Sequence, residues 1–188
     1  MAEFANLPPR LNKPFNPLLG ETYTLKYRNW RFFSEQVSHH PPISACYTES
    51  PFFEFRTNTF VRTRFWGKSL EFISLGGSNV KLKNTVAGDE EYIYSRPGTS
   101  ANNIIVGTMY LDVHGSTVVR NLKSGEVVEL EYLPRSWLGN NAFVVRGVVK
   151  DNSGVPRYRV NGLWNERFSI TNMESGEETL LWKYRGFP

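Results

Sequence analysis

Residues 104–133 read IIVGTMYLDVHGSTVVRNLKSGEVVELEYL. Runs rich in Val, Ile, Thr and Tyr alternate with short clusters containing Gly, which is strand composition with turn punctuation. The reading is a strand from Ile104 to Val113, a tight turn at His114-Gly115-Ser116, and a strand from Thr117 to Leu122. A turn at Lys123-Ser124-Gly125-Glu126 then leads into a strand from Val127 to Leu133. The same pattern recurs elsewhere. Residues 142–149 (AFVVRGVV) run into Asp151-Asn152-Ser153-Gly154 and return from Val155 to Val160. Gly76-Gly77-Ser78-Asn79 separates Leu70–Leu75 from Val80–Leu82, and Glu174-Ser175-Gly176-Glu177 separates Phe168–Thr171 from Thr179–Tyr184. No stretch carries a convincing helical period. The spacing predicts an all-β antiparallel meander of roughly ten or more strands. A sheet that wide curls, so a barrel or half-barrel is expected.

At 188 residues the chain reads as one large domain. Lys and Arg number 22 against 18 Asp and Glu, a net charge of +4. That balance allows attraction to anionic membranes or phosphates. The charges are interspersed, and no basic stripe accompanies the aromatics, which argues against nucleic acid as a partner. Cys46 is the single cysteine, so no intrachain disulfide forms. It lies in an apolar run and reads as a small buried hydrophobe in a reducing, cytoplasmic compartment. No signal-peptide pattern opens the chain and no apolar run approaches about 18 residues, so a soluble protein is expected. Aromatic residues make up 14% of the chain. They serve as ordinary core and cross-strand pairs, or some of them line a lipid-sized cavity. The five tryptophans, Trp30, Trp66, Trp137, Trp164 and Trp182, read as core or cavity wall.

Residues 1–20 differ from the rest. Pro8, Pro9, Pro14 and Pro17 forbid a helix and remove ladder donors. An extended loop segment is expected there, leading into a first strand at Glu21–Tyr27 and the β-meander of residues 21–188.

The chemistry concentrates at Glu35-Gln36-Val37-Ser38-His39-His40-Pro41-Pro42. The histidines sit at the end of an apparently buried strand containing Trp30, Phe32 and Val37. Imidazole donates hydrogen bonds and carries charge near neutral pH. Adjacent residues on a regular strand point to opposite faces, so two strand histidines do not share a ligand. The Pro-Pro break frees the backbone from strand geometry and lets both rings converge. A rigid anion site follows more naturally than a mobile catalytic loop.

Two segments together, Lys13-Pro14-Phe15-Asn16-Pro17-Leu18-Leu19-Gly20-Glu21 and the EQVSHHPP octapeptide, resemble the signature of the oxysterol-binding-protein-related family. Asn103–Gly107, Gly147–Asp151 and Asn161–Trp164 look familial as well, although Leu163 stands where the family usually has lysine. The resemblance covers nearly the whole chain. It implies a lipid-transfer domain, an incomplete antiparallel β-barrel around a hydrophobic tunnel, with no cofactor and no metal. It implies phosphatidylinositol 4-phosphate as one ligand and a sterol or phosphatidylserine as another. The headgroup-binding residues of the family map to Lys13, Asn16, His39 and His40, and the motif's glutamate maps to Glu21, with a role near the ligand or the lid. It also implies transient contact with anionic membranes at membrane contact sites. Family domains are longer, and their N-terminal lid and C-terminal helical region are absent from this reading of the chain.

A phosphomonoester needs several charge-assisted donors in a fixed cluster, and Lys13, Asn16, His39 and His40 are of the right kind. Lys13 alone would read as a solvated surface lysine, and either histidine alone as a structural one. Glu21 reads equally well as a partner of Arg or Lys. An enzyme is disfavoured: no catalytic residue set is found, with no nucleophile elbow, HExxH or Cys-His metal spacing, and Ser38 lies too close to His39 for a standard dyad. The remaining alternative is a non-catalytic β-domain that mediates protein–protein interaction through free strand edges.

Overall fold

The computed structural model describes residues 4–5, 15–136 and 139–184. Among them there is no helix. Fourteen strands occur: β1 (Thr22–Tyr27), β2 (Trp30–Ser38), β3 (Ile43–Glu49), β4 (Phe53–Phe65), β5 (Ser69–Ser74), β6 (Gly77–Thr85), β7 (Gly88–Ser95), β8 (Gly98–Asn102), β9 (Tyr110–Asn121), β10 (Val127–Tyr132), β11 (Val144–Lys150), β12 (Pro156–Leu163), β13 (Arg167–Asn172) and β14 (Glu178–Lys183). All pairings are antiparallel, as the turn spacing predicts.

Three hairpins share one local device. Asn121, Asp151 and Asn172 each stand at the start of a turn and accept backbone N–H groups two to four residues ahead. This is how short polar side chains close turns. At the β11–β12 turn, Asp151 accepts from the Val155 amide at 3.0 Å, from Arg157 Nε at 2.8 Å and from the Ser153 amide at 2.9 Å. The Val155 amide and then the Arg157 guanidinium hold the Asp151 carboxyl below its usual pKa. A depressed pKa contributes stability in full above the unfolded value, about 3.9, and loses it as pH falls through the folded value. Asp151→Asn is therefore expected to lower the midpoint of thermal unfolding at pH 7. The gap between variant and native should close on titration below about pH 4.

Two glycine clusters read as hairpin turns do something else. Gly76-Gly77 does not turn β5 against β6, because these two strands do not pair. Both pair with the long strand β4, β6 through Phe53–Thr57 and β5 through Val61–Phe65. Likewise His114-Gly115-Ser116 lies inside β9. Gly115 takes φ +91° without leaving the ladder, where a residue with a Cβ would be strained. Here β9 exchanges partners: Tyr110–His114 pair with β8, Gly115–Arg120 with β10, and Val119–Asn121 with β7. Residues 104–109, read as strand, precede it outside any strand.

These exchanges give the fold its shape. Two strand pairs, β5–β8 and β6–β7, each bridge β4 to β9, so the pairing closes a local circuit. The described ends of the sheet, β1 and β14, do not pair with each other. The result is a partial ring, in keeping with the expected incomplete enclosure.

The core sits on one face of the second half. On β10, Leu130 and Tyr132 point inward while Glu129 and Glu131 point outward to Lys150 and Arg146, the period-two alternation of a half-solvated sheet. Val113, Val145, Val160 and Trp164 complete the cluster. Phe4 joins it and meets Tyr132 edge-on, ring centroids 6.0 Å apart. Of the described tryptophans only Trp164 is fully buried. Trp66, in the β4–β5 turn, is 61% exposed and donates to Glu71. Trp137 lies outside the described residues.

Candidate functional site

The two sequence motifs meet in the structure. β1 pairs with β2 from Tyr27↔Trp30 to Thr22↔Glu35. The pairing continues one step further: Gly20 N donates to Gln36 O at 2.8 Å and Gln36 N donates to Glu21 O at 3.0 Å. The chain before Gly20 and the chain after Gln36 therefore leave the hairpin at the same end. That sets Gly20 and Glu21 against Gln36, three residues before His39, so the two motifs share one end of the hairpin.

The loop is shaped by a turn at Leu18–Glu21. Glu21 N donates to Leu18 O at 2.9 Å, and Gly20 takes φ +77°. This position of a type II turn requires positive φ, hence glycine. The Glu21 carboxylate accepts the Leu18 amide at 2.7 Å. Glu21 is exposed and acts on the loop backbone; the expected choice between a cationic partner and a ligand contact did not include this role. Asn16 is exposed on the same loop, beside Phe15, Leu18 and Leu19. Phe15, at 98% exposure, leaves its whole ring to solvent. Lys13 lies outside the described residues.

His39 and His40 occupy the turn between β2 and β3, with Pro41 and Pro42. The His40–Pro41 peptide is cis. The two rings stand together, centroids 4.4 Å apart and tilted by 58°, and both are exposed. Adjacent residues that a strand would send to opposite faces thus present their imidazoles side by side, the convergence expected of the Pro-Pro break.

What aims this turn is Gln36, which sequence reasoning passed over. The β2–β3 register is regular up to Gln36 and slips between Gln36 and Ser38, a bulge that leaves Val37 unpaired at the mouth of the turn. Val37, read as buried, is 48% exposed, and Gln36 is buried, because the face that carries Trp30, Phe32 and Ser34 continues at Gln36 by strict two-residue alternation. Its amide bridges the turn base: Nε2 donates to Ser38 O at 2.9 Å, and Ser44 Oγ donates to Oε1. Counting by twos from Trp30 and Phe32 reaches Gln36, not Val37, so the signal was present in the strand's own period.

A separate feature is a cavity of about 390 Å³ walled by β6, β7, β9 and β10 and closed on one side by Phe4. Its lining is mainly aliphatic and aromatic, and its volume falls in the range of small-molecule sites. Among the described residues, no group of three or more His, Cys, Asp or Glu side chains is placed to hold a metal ion. Cys46 is half-buried; burial pushes its thiol pKa up, against an opposing pull from Arg96.

Comparisons with known proteins agree with this architecture. A family model described as oxysterol-binding protein matches residues 1–185. The chain is 41% identical over 158 residues to the human "Oxysterol-binding protein-related protein 6", covering 82% of this chain and 17% of that protein. Among solved structures, the "Osh1 ORD domain in complex with ergosterol" superposes with a TM-score of 0.88 at 31% identity, covering 100% of this chain and 49% of that one. The "Osh3 ORD in complex with PI(4)P from Saccharomyces cerevisiae" gives a TM-score of 0.78 at 26% identity, covering 97% and 48%. The chain thus spans about half of these solved domains and a smaller share of the curated relative.

Proposed function

The chain belongs to the oxysterol-binding protein family, and from that premise we propose that it is a non-catalytic lipid-binding domain that carries lipids between membranes. The phosphorylated headgroup of phosphatidylinositol 4-phosphate docks at the end of the β1–β2 hairpin, on Lys13, Asn16, His39 and His40. Glu21 and Gln36 hold the two segments in place. A sterol or similar apolar lipid occupies the cavity behind β9 and β10. Burying roughly 300–400 Å² of such a ligand contributes about 8–10 kcal/mol before the costs of binding. That is comparable with what a bilayer offers the same lipid, so exchange requires little net energy.

The observation that carries this reading is the pairing of the two motifs: the Gly20–Gln36 and Gln36–Glu21 hydrogen bonds with the twin imidazoles beyond them. A cluster of exposed imidazole and amide donors suits charge-assisted hydrogen bonds to a phosphate. The neighbouring exposed Phe15, Leu18 and Leu19 suit a surface that touches the membrane while a headgroup is taken, at contacts between cytoplasmic membranes. Two structures with the same fold carry ergosterol and PI(4)P, the two ligand classes invoked here.

The test is extraction of labelled phosphatidylinositol 4-phosphate from liposomes. One lipid per protein is expected, with clear preference over unphosphorylated phosphatidylinositol. Equal uptake of both lipids, or of neither, rejects the headgroup site. The second reading is a partner-binding module. It is favoured by β1, whose six residues are all exposed, and would be supported by self-association or edge pairing in protein that extracts no lipid.

A further inference from the structure

We propose that the β4–β5 turn and the β8–β9 loop together form a docking tip for an anionic bilayer. Trp66, Ile105 and Val106 enter the interface, and Arg62, Arg64 and Lys68 meet the lipid headgroups. The proposal rests on the lipid-carrier reading and adds to it a place of membrane contact on strands other than those of the histidine turn.

The two segments are joined. β4 pairs with β5 up to Phe65↔Leu70, β5 pairs with β8 up to Ser69↔Asn102, and Ile104 N donates to Lys68 O at 3.1 Å. Asn103 takes φ +58°, and its Nδ2 donates to Thr108 O at 3.2 Å, which closes the loop around residues 104–107. Trp66 is 61% exposed, Ile105 70% and Val106 79%. Apolar residues exposed singly need no explanation, but their concentration on two hydrogen-bonded loops marks a contact surface. Charge decides what covers it. Arg62, Arg64 and Lys68 are exposed and form no ion pair among the described residues. On the body of the sheet, by contrast, Lys83 is held by Glu54 and Lys150 by Glu129. Residues 62–70 and 97–111 contain no Asp or Glu. The carboxylate opposite Arg64, Glu71, accepts from Trp66 Nε1 at 3.2 Å and lies 3.9 Å from His114. A protein partner would have to desolvate these cations at an interface whose core normally excludes charge. A bilayer leaves them hydrated at the headgroup level while aromatic and aliphatic groups pass below it, and each cation adds attraction to an anionic surface. Register puts the tip at the same end of the sheet as the histidine turn: Ile43, at the start of β3, lies opposite Phe60, and β4 runs on to Phe65.

The experiment measures cosedimentation of the whole chain with phosphatidylcholine vesicles and with vesicles that also carry phosphatidylserine, neither containing phosphoinositide. Native protein is expected to bind the phosphatidylserine vesicles more tightly, and added salt should weaken that binding. Ile105→Ser combined with Val106→Ser should lower it about tenfold. Arg64→Gln combined with Lys68→Gln should lower it to a similar extent, about tenfold. All four side chains are exposed, so the thermal midpoints should stay at the native value. The His39→Ala, His40→Ala double variant should bind these vesicles as native protein does. Four results overturn the assignment. They are no preference for phosphatidylserine vesicles in native protein, undiminished binding by either tip variant, and a marked fall in the thermal midpoint of both. The fourth is self-association of native protein without lipid that the Ile105 and Val106 substitutions abolish, because a second copy then covers the tip. Native protein that binds the vesicles through the tip but extracts no phosphatidylinositol 4-phosphate overturns the lipid-carrier reading and leaves the tip standing.

Discussion

Replacing His39 and His40 together with alanine is expected to reduce binding of phosphatidylinositol 4-phosphate by at least about a hundredfold. Hydrogen bonds to a charged group contribute about 1.5–3 kcal/mol each, and each 1.4 kcal/mol is tenfold in affinity. Two imidazole donors on one phosphate therefore reach two orders of magnitude even if part of the second contribution is shared with the first. The fold should not suffer. Both rings are exposed in a four-residue turn, and the contacts that aim the turn belong to Gln36, Ser38 and Ser44. An unchanged thermal midpoint together with lost extraction locates the defect in the headgroup site. The double variant should also keep its uptake of cholesterol, because the cavity is lined by other strands. Intact phosphoinositide extraction by a folded double variant would reject the site outright. Asn16→Ala, removing one neutral amide donor, should have a smaller effect, near tenfold.

The parts of this structure that were legible in the sequence are those decided locally. Asp151-Asn152-Ser153-Gly154 closes its hairpin with its own side chain and backbone, so four residues carry the whole signal. The Lys123–Glu126 and Glu174–Glu177 turns are closed in the same way by Asn121 and Asn172. Gly76-Gly77 and His114-Gly115-Ser116 look the same on paper, yet one links strands that share β4 and the other lies within β9. What separates the cases is which distant strand takes up each free edge, and no local pattern reports that. The site divides along the same line. Convergence of His39 and His40 follows from the two prolines beside them. The burial of Gln36 follows the two-residue period of Trp30 and Phe32, which the apolar Val37 beside it obscures.

Trp164→Ala should cost about 3–5 kcal/mol of folding stability, the range for deleting a large buried aromatic side chain. Trp164 is fully buried at the end of β12, and its ring packs edge-on against Phe143 with centroids 5.1 Å apart. Its backbone N–H donates to Phe143 O at 2.8 Å, so the segment before β11 is fastened at the same point. In a chain of this size the loss corresponds to a fall in thermal midpoint on the order of 10 °C. In urea the midpoint concentration should drop with an unchanged slope, the mark of lost stability rather than a changed unfolded state. Trp164→Phe separates packing from polarity. The indole Nε1 has no partner among the described residues, so phenylalanine sacrifices volume but no hydrogen bond and should recover most of the loss. An alanine variant within about 1 kcal/mol of native would show that this end of β12 is not part of the core. The consequence reaches the cavity, because Leu130 and Tyr132 belong both to the Trp164 cluster and to the cavity wall. Protein interiors transmit such changes through close packing. Cholesterol uptake should therefore weaken in Trp164→Ala even at temperatures where the variant is still folded, while phosphoinositide capture at the histidine turn should be spared.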